Sequence, residues 1–175
     1  MGTYDRIIEQ AEERLRANES IQAMQLYAEA AAVAPDRKEP LIELAQLFID
    51  HDDIEGAAGF LEKALTLDRA DVFIRLNLAL AYFELEHAER AMLHLKEAVL
   101  LIQYIVAGTR IDETFGRTTE TERERAAELE TTGEYALELL KELAGLAELQ
   151  AGSNAEPEVP SQSEPFATRL LRLAS

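Results

Sequence analysis

The chain has 175 residues, 47% of them hydrophobic, and a formal net charge of −17 at pH 7. It contains no cysteine, which excludes disulfides, thiolate metal sites and cysteine nucleophiles. The excess of acidic side chains, 34 against 17 basic ones, repels phosphate backbones and anionic lipid, so nucleic acids and membrane surfaces are poor partners.

The first residues contain no basic start followed by an apolar run, so we expect no secretory signal. Nor do we expect a membrane span, because no window approaches the ~18 apolar residues that one requires. We therefore expect a soluble, cytoplasmic protein.

Small residues recur along the chain with a step of 34 positions. Alanine fills three such series: Ala11, Ala45 and Ala79; Ala23, Ala57 and Ala91; Ala30, Ala64 and Ala98. Within each repeat, apolar residues recur every three or four positions, which is the period of a helical face. Because small residues let two helices cross closely, the sequence predicts three helix pairs, over residues 4–37, 38–71 and 72–106.

Beyond the third repeat the step of 34 is lost. We expect the last helix to end near Ala107 and residues 107–118 to form a loop. Thr119 and Glu122 have the spacing of a capping box at the start of a further helix over residues 119–150, with Gly133 as a candidate kink. Such a helix covers the bare last face of a repeat array. A degenerate fourth repeat and an oligomer interface are the alternatives.

The last part of the sequence changes character twice. Residues 151–165 are rich in Pro, Ser and Gly, which predicts a flexible linker. Residues 166–175 form a short amphipathic docking segment, in which a helix would place Phe166, Leu170 and Leu173 on one side. Its other members are Arg169, Leu171 and Arg172. We expect it to dock into a groove of its own chain or a neighbour's, or against the terminal helix; the alternative is a disordered end that folds only on another protein.

Together these features resemble the tetratricopeptide repeat (TPR) family. Counted from Tyr4, Lys38 and Val72, the family's small residues at positions eight, twenty and twenty-seven are all present, and its aromatic at position eleven is Phe48 or Tyr82. The resemblance covers residues 4–105, although position eleven of the first repeat is arginine. It implies an all-α, right-handed helical solenoid of three helix pairs with a C-terminal capping helix or helices.

The resemblance also implies that the first helix of each pair lines a concave peptide-binding groove. Carried over residue by residue, this groove contains Ile8 and Glu12 from the first repeat, Glu39, Ile42, Glu43, Gln46 and Ile49 from the second, and Phe73, Leu76, Asn77, Leu80 and Phe83 from the third. One end is acidic with aliphatic residues between the charges, and the other is apolar. We therefore expect a partner with both apolar and basic residues.

One TPR subgroup is not expected. Adaptors that hold the acidic C-terminal tails of heat-shock chaperones resemble one another in a clamp of Lys, Asn and Arg side chains. The corresponding positions here hold Ile8, Glu12, Glu43, Phe73 and Asn77. Without cations in that clamp, we expect no binding to such tails.

Candidate chemistry is sparse, and we expect no enzyme, cofactor or metal. His87 and His94 are seven residues apart without a third ligand, so we interpret them as surface histidines. The acidic stretch at residues 51–56 lacks the alternation of a calcium loop and is better interpreted as a helix cap.

These observations favour a non-enzymatic adaptor or scaffold that binds an amphipathic, partly basic segment in the groove. One alternative is a holding chaperone for apolar secretion-type substrates. Another is a structural protein that forms a homo-oligomer through its C-terminal tail or terminal helix.

Overall fold

A computed structural model of the chain describes residues 2–152, with side chains up to residue 145. This part contains seven α-helices and no strand: α1 (Thr3–Arg16), α2 (Ser20–Val33), α3 (Glu39–Asp50), α4 (Ile54–Leu67), α5 (Val72–Glu84), α6 (Ala88–Thr114) and α7 (Glu120–Gly152). The rest of the predicted linker and the docking segment at residues 166–175 lie outside the described residues. The chain divides into two compact units, Met1–Ile74 and Arg75–Ser175, with the boundary inside α5.

The all-α fold and its three helix pairs, α1–α2, α3–α4 and α5–α6, are confirmed. Each pair is joined by a turn in which one residue has a positive φ: Asn18 (58°), Asp52 (60°) and Glu86 (60°). These three positions again differ by 34. Apart from glycine, Asn and Asp adopt this left-handed conformation more readily than other residues. The third turn therefore uses a less suitable residue than the first two.

The alanine ladder lies in the core. All nine of its members are at most 1% exposed. A side chain longer than a methyl group would have to displace a packed neighbour at these positions, because protein interiors are close-packed. The step of 34 therefore marks the places where helices approach most closely.

Within the first unit, Lys38 ties the beginning of the second repeat to its end. Its amine donates hydrogen bonds to the carboxylates of Asp68 at 2.5 Å and Asp71 at 2.6 Å. Asp71 also accepts a hydrogen bond from the backbone N–H of Ile74 at 3.0 Å, in the first turn of α5. The hydrogen bond from Lys38 lowers the pKa of Asp68. One lysine thus organises the join between two repeats.

The loop predicted over residues 107–118 is wrong for most of its length, because α6 continues to Thr114. The predicted helix ended near Ala107 because Gly108, like any glycine inside a helix, is destabilising. Packing against α7 compensates: Val106 is only 7% exposed, and Arg110 forms an ion pair with Glu130. Only residues 115–119 separate the two helices.

The predicted capping box at the start of α7 is confirmed. The backbone N–H of Thr119 donates to the Glu122 carboxylate at 2.7 Å, and the Glu122 N–H donates to the Thr119 hydroxyl at 3.3 Å. Helix α7 then continues through Gly133, which was the candidate kink. A Cβ atom at Gly133 would lie 2.7 Å from Cγ2 of Ile102. This glycine instead permits close approach of α7 to α6.

The expectation that no segment is long and apolar enough to cross a membrane needs correction. By length and composition alone, α6 meets that criterion. One face of the helix is nevertheless packed inside the second unit, with Leu95 and Ala98 fully buried and Ile102 2% exposed. A core helix of a folded domain satisfies the same criterion.

Candidate functional site

In the first unit, two carboxylates stand beside core residues of neighbouring repeats. Ala11 of α1 and Leu44 of α3 belong to one hydrophobic cluster. Glu12 directly follows Ala11 in the sequence, and Glu43 directly precedes Leu44. Both glutamates are exposed. Glu12 accepts a hydrogen bond from Arg16 at 3.3 Å, an exposed pair four residues apart of the kind that contributes little to stability. Glu43 forms no ion pair with another described residue.

Tyr27 of α2 is near enough to both carboxylates for their charges to raise its pKa. Its side chain is 3% exposed and belongs to the same cluster as Ala11 and Leu44. Burial raises the pKa of Tyr27 to about 12, and the negative charges of Glu43 and Glu12 contribute to this rise. The phenol is therefore a neutral hydrogen-bond donor at physiological pH, and it forms no hydrogen bond with another described residue. We refer to Glu12, Glu43 and the Tyr27 hydroxyl as the acidic triad.

The acidic triad has an unfavourable electrostatic energy by itself. Partial burial raises the pKa of Glu43, and the charge of Glu12 raises it further. A cation placed between the two carboxylates would remove this repulsion and satisfy oxygen atoms on both. The arrangement suits a guanidinium or ammonium group and opposes an anion.

The other groove residues predicted in the first unit surround the triad with mixed chemistry. Glu39 is exposed at the first turn of α3, and Gln46 is exposed and donates a hydrogen bond to Asp50 at 3.0 Å. Ile8, Ile42 and Ile49 are half-buried. Ile8 packs on the hydrophobic cluster, so only part of its surface is available to a ligand.

The groove residues predicted on α5 differ among themselves. Phe73 is 43% exposed, and Asn77 and Phe83 are half-buried. Leu76 and Leu80 are 0% and 5% exposed, which makes them core residues and corrects their assignment to an accessible groove. Position in the repeat did not reveal this, because two leucines on an apolar helix are equally consistent with core and with surface.

The two histidines have a packing role in the second unit. The rings of His87 and His94 lie 6.0 Å and 5.5 Å from the buried ring of Tyr82, and the guanidinium of Arg90 lies 5.2 Å from its centroid. His87 is exposed, but His94 is half-buried, so the surface interpretation was wrong for His94.

The acidic stretch at residues 51–56 is a helix cap, as predicted. The Asp53 carboxylate accepts a hydrogen bond from the Gly56 N–H at 2.8 Å at the start of α4. Within the part of the chain that the structure describes, no group of three or more His, Asp or Glu side chains is arranged to hold a metal ion.

No family model and no curated protein matches the chain. Solved structures do match it. The Sgt2 TPR domain from Aspergillus fumigatus is 16% identical, with a TM-score of 0.57 over 97% of this chain and 95% of that one. The fold is that of the tetratricopeptide repeat.

Two further TPR-like neighbours have similar scores. A MamA protein is 15% identical, with a TM-score of 0.54 over 98% of this chain and 91% of that one. The first TPR of Spaghetti (RPAP3), bound to the HSP90 peptide SRMEEVD, is 12% identical, with a TM-score of 0.52 over 73% of this chain and 90% of that one. At such identities the likeness establishes the fold alone.

Sequence reasoning missed Tyr27 as a site residue. Tyr27 belongs to a series that follows the same step of 34, with Leu61 and Leu95 as its other members. The signal was the hydroxyl: one buried position of that series carries a polar atom, and the other two do not. A hydroxyl at a position that otherwise holds leucine indicates that the end of this side chain comes near the surface, where it can meet a ligand.

Proposed function

We propose that the chain is a non-enzymatic interaction module that binds an amphipathic, partly basic segment of a partner protein on the inner faces of its repeat helices. The acidic triad is the observation that carries this proposal. Its two carboxylates repel each other, and the Tyr27 hydroxyl beside them forms no hydrogen bond with another described residue. An arginine or lysine of a ligand removes the repulsion and can donate a hydrogen bond to the phenol oxygen.

The half-buried aliphatic residues near the triad support an amphipathic ligand. Ile42 and Ile49 lie on the same helix as Glu43 and retain part of their surface. A ligand that pairs a cation with the carboxylates can therefore also bury apolar side chains. In peptide recognition of this kind, the charged side chains and the apolar side chains of the peptide both contribute to binding.

The charge of this surface also separates the chain from the peptide-bound neighbour. The peptide in that complex, SRMEEVD, ends in acidic residues. Here the corresponding clamp positions include Glu12 and Glu43, which repel carboxylates. We expect SRMEEVD not to bind.

Calorimetry with two matched peptides tests the proposal. The first is a 15-residue amphipathic helix-forming peptide that carries three arginines on its polar side, and the second has glutamates at those positions. We expect micromolar affinity for the arginine peptide and none for the glutamate peptide or for SRMEEVD.

Two variants assign the binding to the triad. Glu43→Gln is expected to weaken the arginine peptide about fivefold, and Tyr27→Phe about threefold, corresponding to ~1 kcal/mol or less for each polar contact. Gln25→Ala, at an exposed position of α2 outside the predicted groove, is the matched control and should have no effect. Equal affinity for the arginine and glutamate peptides would contradict the proposal.

A further inference from the structure

Helix α6 carries a row of exposed apolar side chains along one side. They are Leu93 (52% exposed), Leu100 (56%), Tyr104 (79%), Ile111 (59%) and Phe115 (66%), the last at the C-cap. Their spacing of seven, four, seven and four residues places all five on one face of a helix. We call this row the α6 stripe.

The stripe lies opposite the packed face of the helix. Ala91, Leu95, Ala98 and Ile102 are at most 2% exposed and belong to the opposite side. A solvent-facing helix surface is ordinarily polar, and contiguous apolar patches on proteins mark interaction sites. Helix α6 is thus apolar on two opposite sides, and only one of them is covered by the described residues.

Helix α7 places the rest of the chain near the beginning of this stripe. The two helices run antiparallel, since Arg123 contacts Glu113, Arg110 contacts Glu130, and Gly133 approaches Ile102. From Gly133, α7 continues to Gly152, about 28 Å at 1.5 Å per residue, and α6 extends back from Ile102 to Ala88, about 21 Å. The last residue of α7 therefore lies about 7 Å past the start of α6 and about 15 Å along the axis from Leu93.

The segment that follows has the length and the side chains to cover this surface. The 13 residues 153–165 typically span about 20 Å as a flexible linker and up to ~45 Å when extended, which reaches Leu93 and Tyr104. Residues 166–175 then supply four large apolar side chains, Phe166, Leu170, Leu171 and Leu173. As a helix they measure about 15 Å, close to the distance from Leu93 to Tyr104.

Charge agrees with this pairing. The docking segment has two arginines and no acidic side chain, in a chain of net charge −17. Glu89 precedes the stripe by one turn and is exposed, and Glu97 lies between Leu93 and Leu100 beside Arg75. Since Glu97 is already paired with Arg75, Glu89 is the carboxylate beside this apolar surface that Arg169 or Arg172 can pair with. The acidic triad offers carboxylates too, but its aliphatic neighbours are half-buried.

We propose that residues 166–175 dock on their own chain, on the N-terminal half of the α6 stripe, over Leu93, Leu100 and Tyr104. Docking within one chain raises the local concentration of the segment into the millimolar range, so a short amphipathic helix suffices to occupy the surface. This inference is independent of the acidic triad and leaves that site open to a partner.

Disulfide trapping in the full-length chain tests the proposal, and the absence of native cysteine makes the readout clean. One variant combines Lys96→Cys, beside the stripe, with Ala167→Cys. The matched variant combines Gln46→Cys, near the acidic triad, with Ala167→Cys. Both Lys96 and Gln46 are exposed, so neither change removes a core contact. We expect an intramolecular disulfide to form at least tenfold faster in the first variant.

A second pair of changes shows whether the apolar stripe holds the segment. Adding Leu100→Ser and Tyr104→Ser to the Lys96 variant should slow the intramolecular disulfide at least tenfold, whereas adding Ile21→Ser, an exposed apolar residue of α2, should not. Faster trapping at Gln46 would overturn the proposal in favour of the inner face. A disulfide between two chains would overturn it in favour of a second copy, and equal rates at both sites would show that no docking occurs.

Discussion

The acidic triad and the α6 stripe are opposite kinds of surface. The first presents two carboxylates and a buried phenol among half-buried aliphatic side chains. The second presents five large apolar side chains, each more than half exposed. A charged surface discriminates between ligands by the sign of their charge, whereas an apolar surface discriminates mainly by the shape and area of the ligand's apolar surface. The triad therefore suits recognition of a partner, and the stripe suits a segment already tethered to the same chain.

The two surfaces also depend on different internal contacts, so each can be disturbed separately. The triad stands on α1–α3 of the first unit, and the stripe stands on α6 of the second. Among the described residues, each unit has one glycine at a close helix–helix approach, Gly56 or Gly133, and at least one glycine on the same helix with nothing within 4 Å, Gly59 or Gly145. These glycines supply matched pairs of substitutions.

The largest effect is expected from Gly56→Ala. A Cβ atom there would lie 2.4 Å from Cδ1 of Phe48 and would force α4 away from α3. We expect a loss of about 2–3 kcal/mol in the free energy of unfolding. Gly59→Ala on the same helix meets nothing within 4 Å and should instead stabilise by about 0.5–1 kcal/mol. Urea denaturation measures both, and equal effects would contradict the packing of α3 on α4.

Gly133→Ala should disturb the helix that carries the stripe and leave the triad intact. Its Cβ would lie 2.7 Å from a methyl group of Ile102, and we expect a loss of about 1–2 kcal/mol in the free energy of unfolding. Gly145→Ala, with nothing within 4 Å, is the control in the same helix. If Gly133→Ala also changed the affinity for the arginine peptide, the two surfaces would not be independent.

A smaller gain is expected in the turn before α6. Glu86 has a φ of 60°, like Asn18 and Asp52 at the equivalent turns. Since asparagine tolerates this conformation better than glutamate, Glu86→Asn should stabilise the chain by about 0.5–1 kcal/mol. Thermal unfolding of the variant tests this. Exchange of Asn18 to Glu is the reciprocal control and should cost a similar amount.

The smallest effects concern two carboxylates of the first unit with opposite pKa shifts. Burial and Glu12 raise the pKa of Glu43, so its ionised form destabilises the fold at neutral pH, and this cost disappears as pH falls through the raised pKa. Lys38 lowers the pKa of Asp68, so its ionised form stabilises the fold above the ordinary pKa near 3.8 and loses that contribution as pH falls below it.

Neutral replacements should therefore act in opposite directions. At pH 7, Glu43→Gln is expected to raise the Tm by about 1 °C and Asp68→Asn to lower it by a similar amount. The Glu43 difference should vanish as pH falls through the raised pKa of Glu43, whereas the Asp68 difference should persist to lower pH, because it is lost only below the lowered pKa of Asp68. Shifts of the same sign would contradict the environments assigned to the two carboxylates. The affinity for the arginine peptide should fall as Glu43 is protonated.

Much of the fold could be predicted from the step of 34, because close helix crossings require small residues and these recur at a fixed spacing in the sequence. The three helix pairs, the capping box of Thr119 and Glu122, and the Asp53 cap were all predictable. The length of α6 was not, because the local cost of Gly108 suggested a loop whereas contacts with α7 hold the helix together. Local propensity does not report such tertiary compensation.

The candidate site was predictable only in part. Repeat position identified Glu12 and Glu43, because charge on an amphipathic helix indicates an exposed position. It did not separate Leu76 and Leu80, which are buried, from Phe73, which is exposed. Nor did it identify Tyr27, whose importance depends on the side chains of two other helices. Nor did the repeat pattern indicate the α6 stripe, of which Leu93, Leu100 and Tyr104 lie inside the third repeat and Ile111 and Phe115 beyond it.

A charge-swap cycle tests the central claim, that the acidic triad binds a cationic side chain, most directly. The wild-type chain and Glu43→Lys are each titrated with the arginine peptide and with the glutamate peptide. The account predicts that Glu43→Lys weakens the arginine peptide at least tenfold and creates measurable binding of the glutamate peptide. If Glu43→Lys leaves both affinities unchanged, the triad does not bind the ligand.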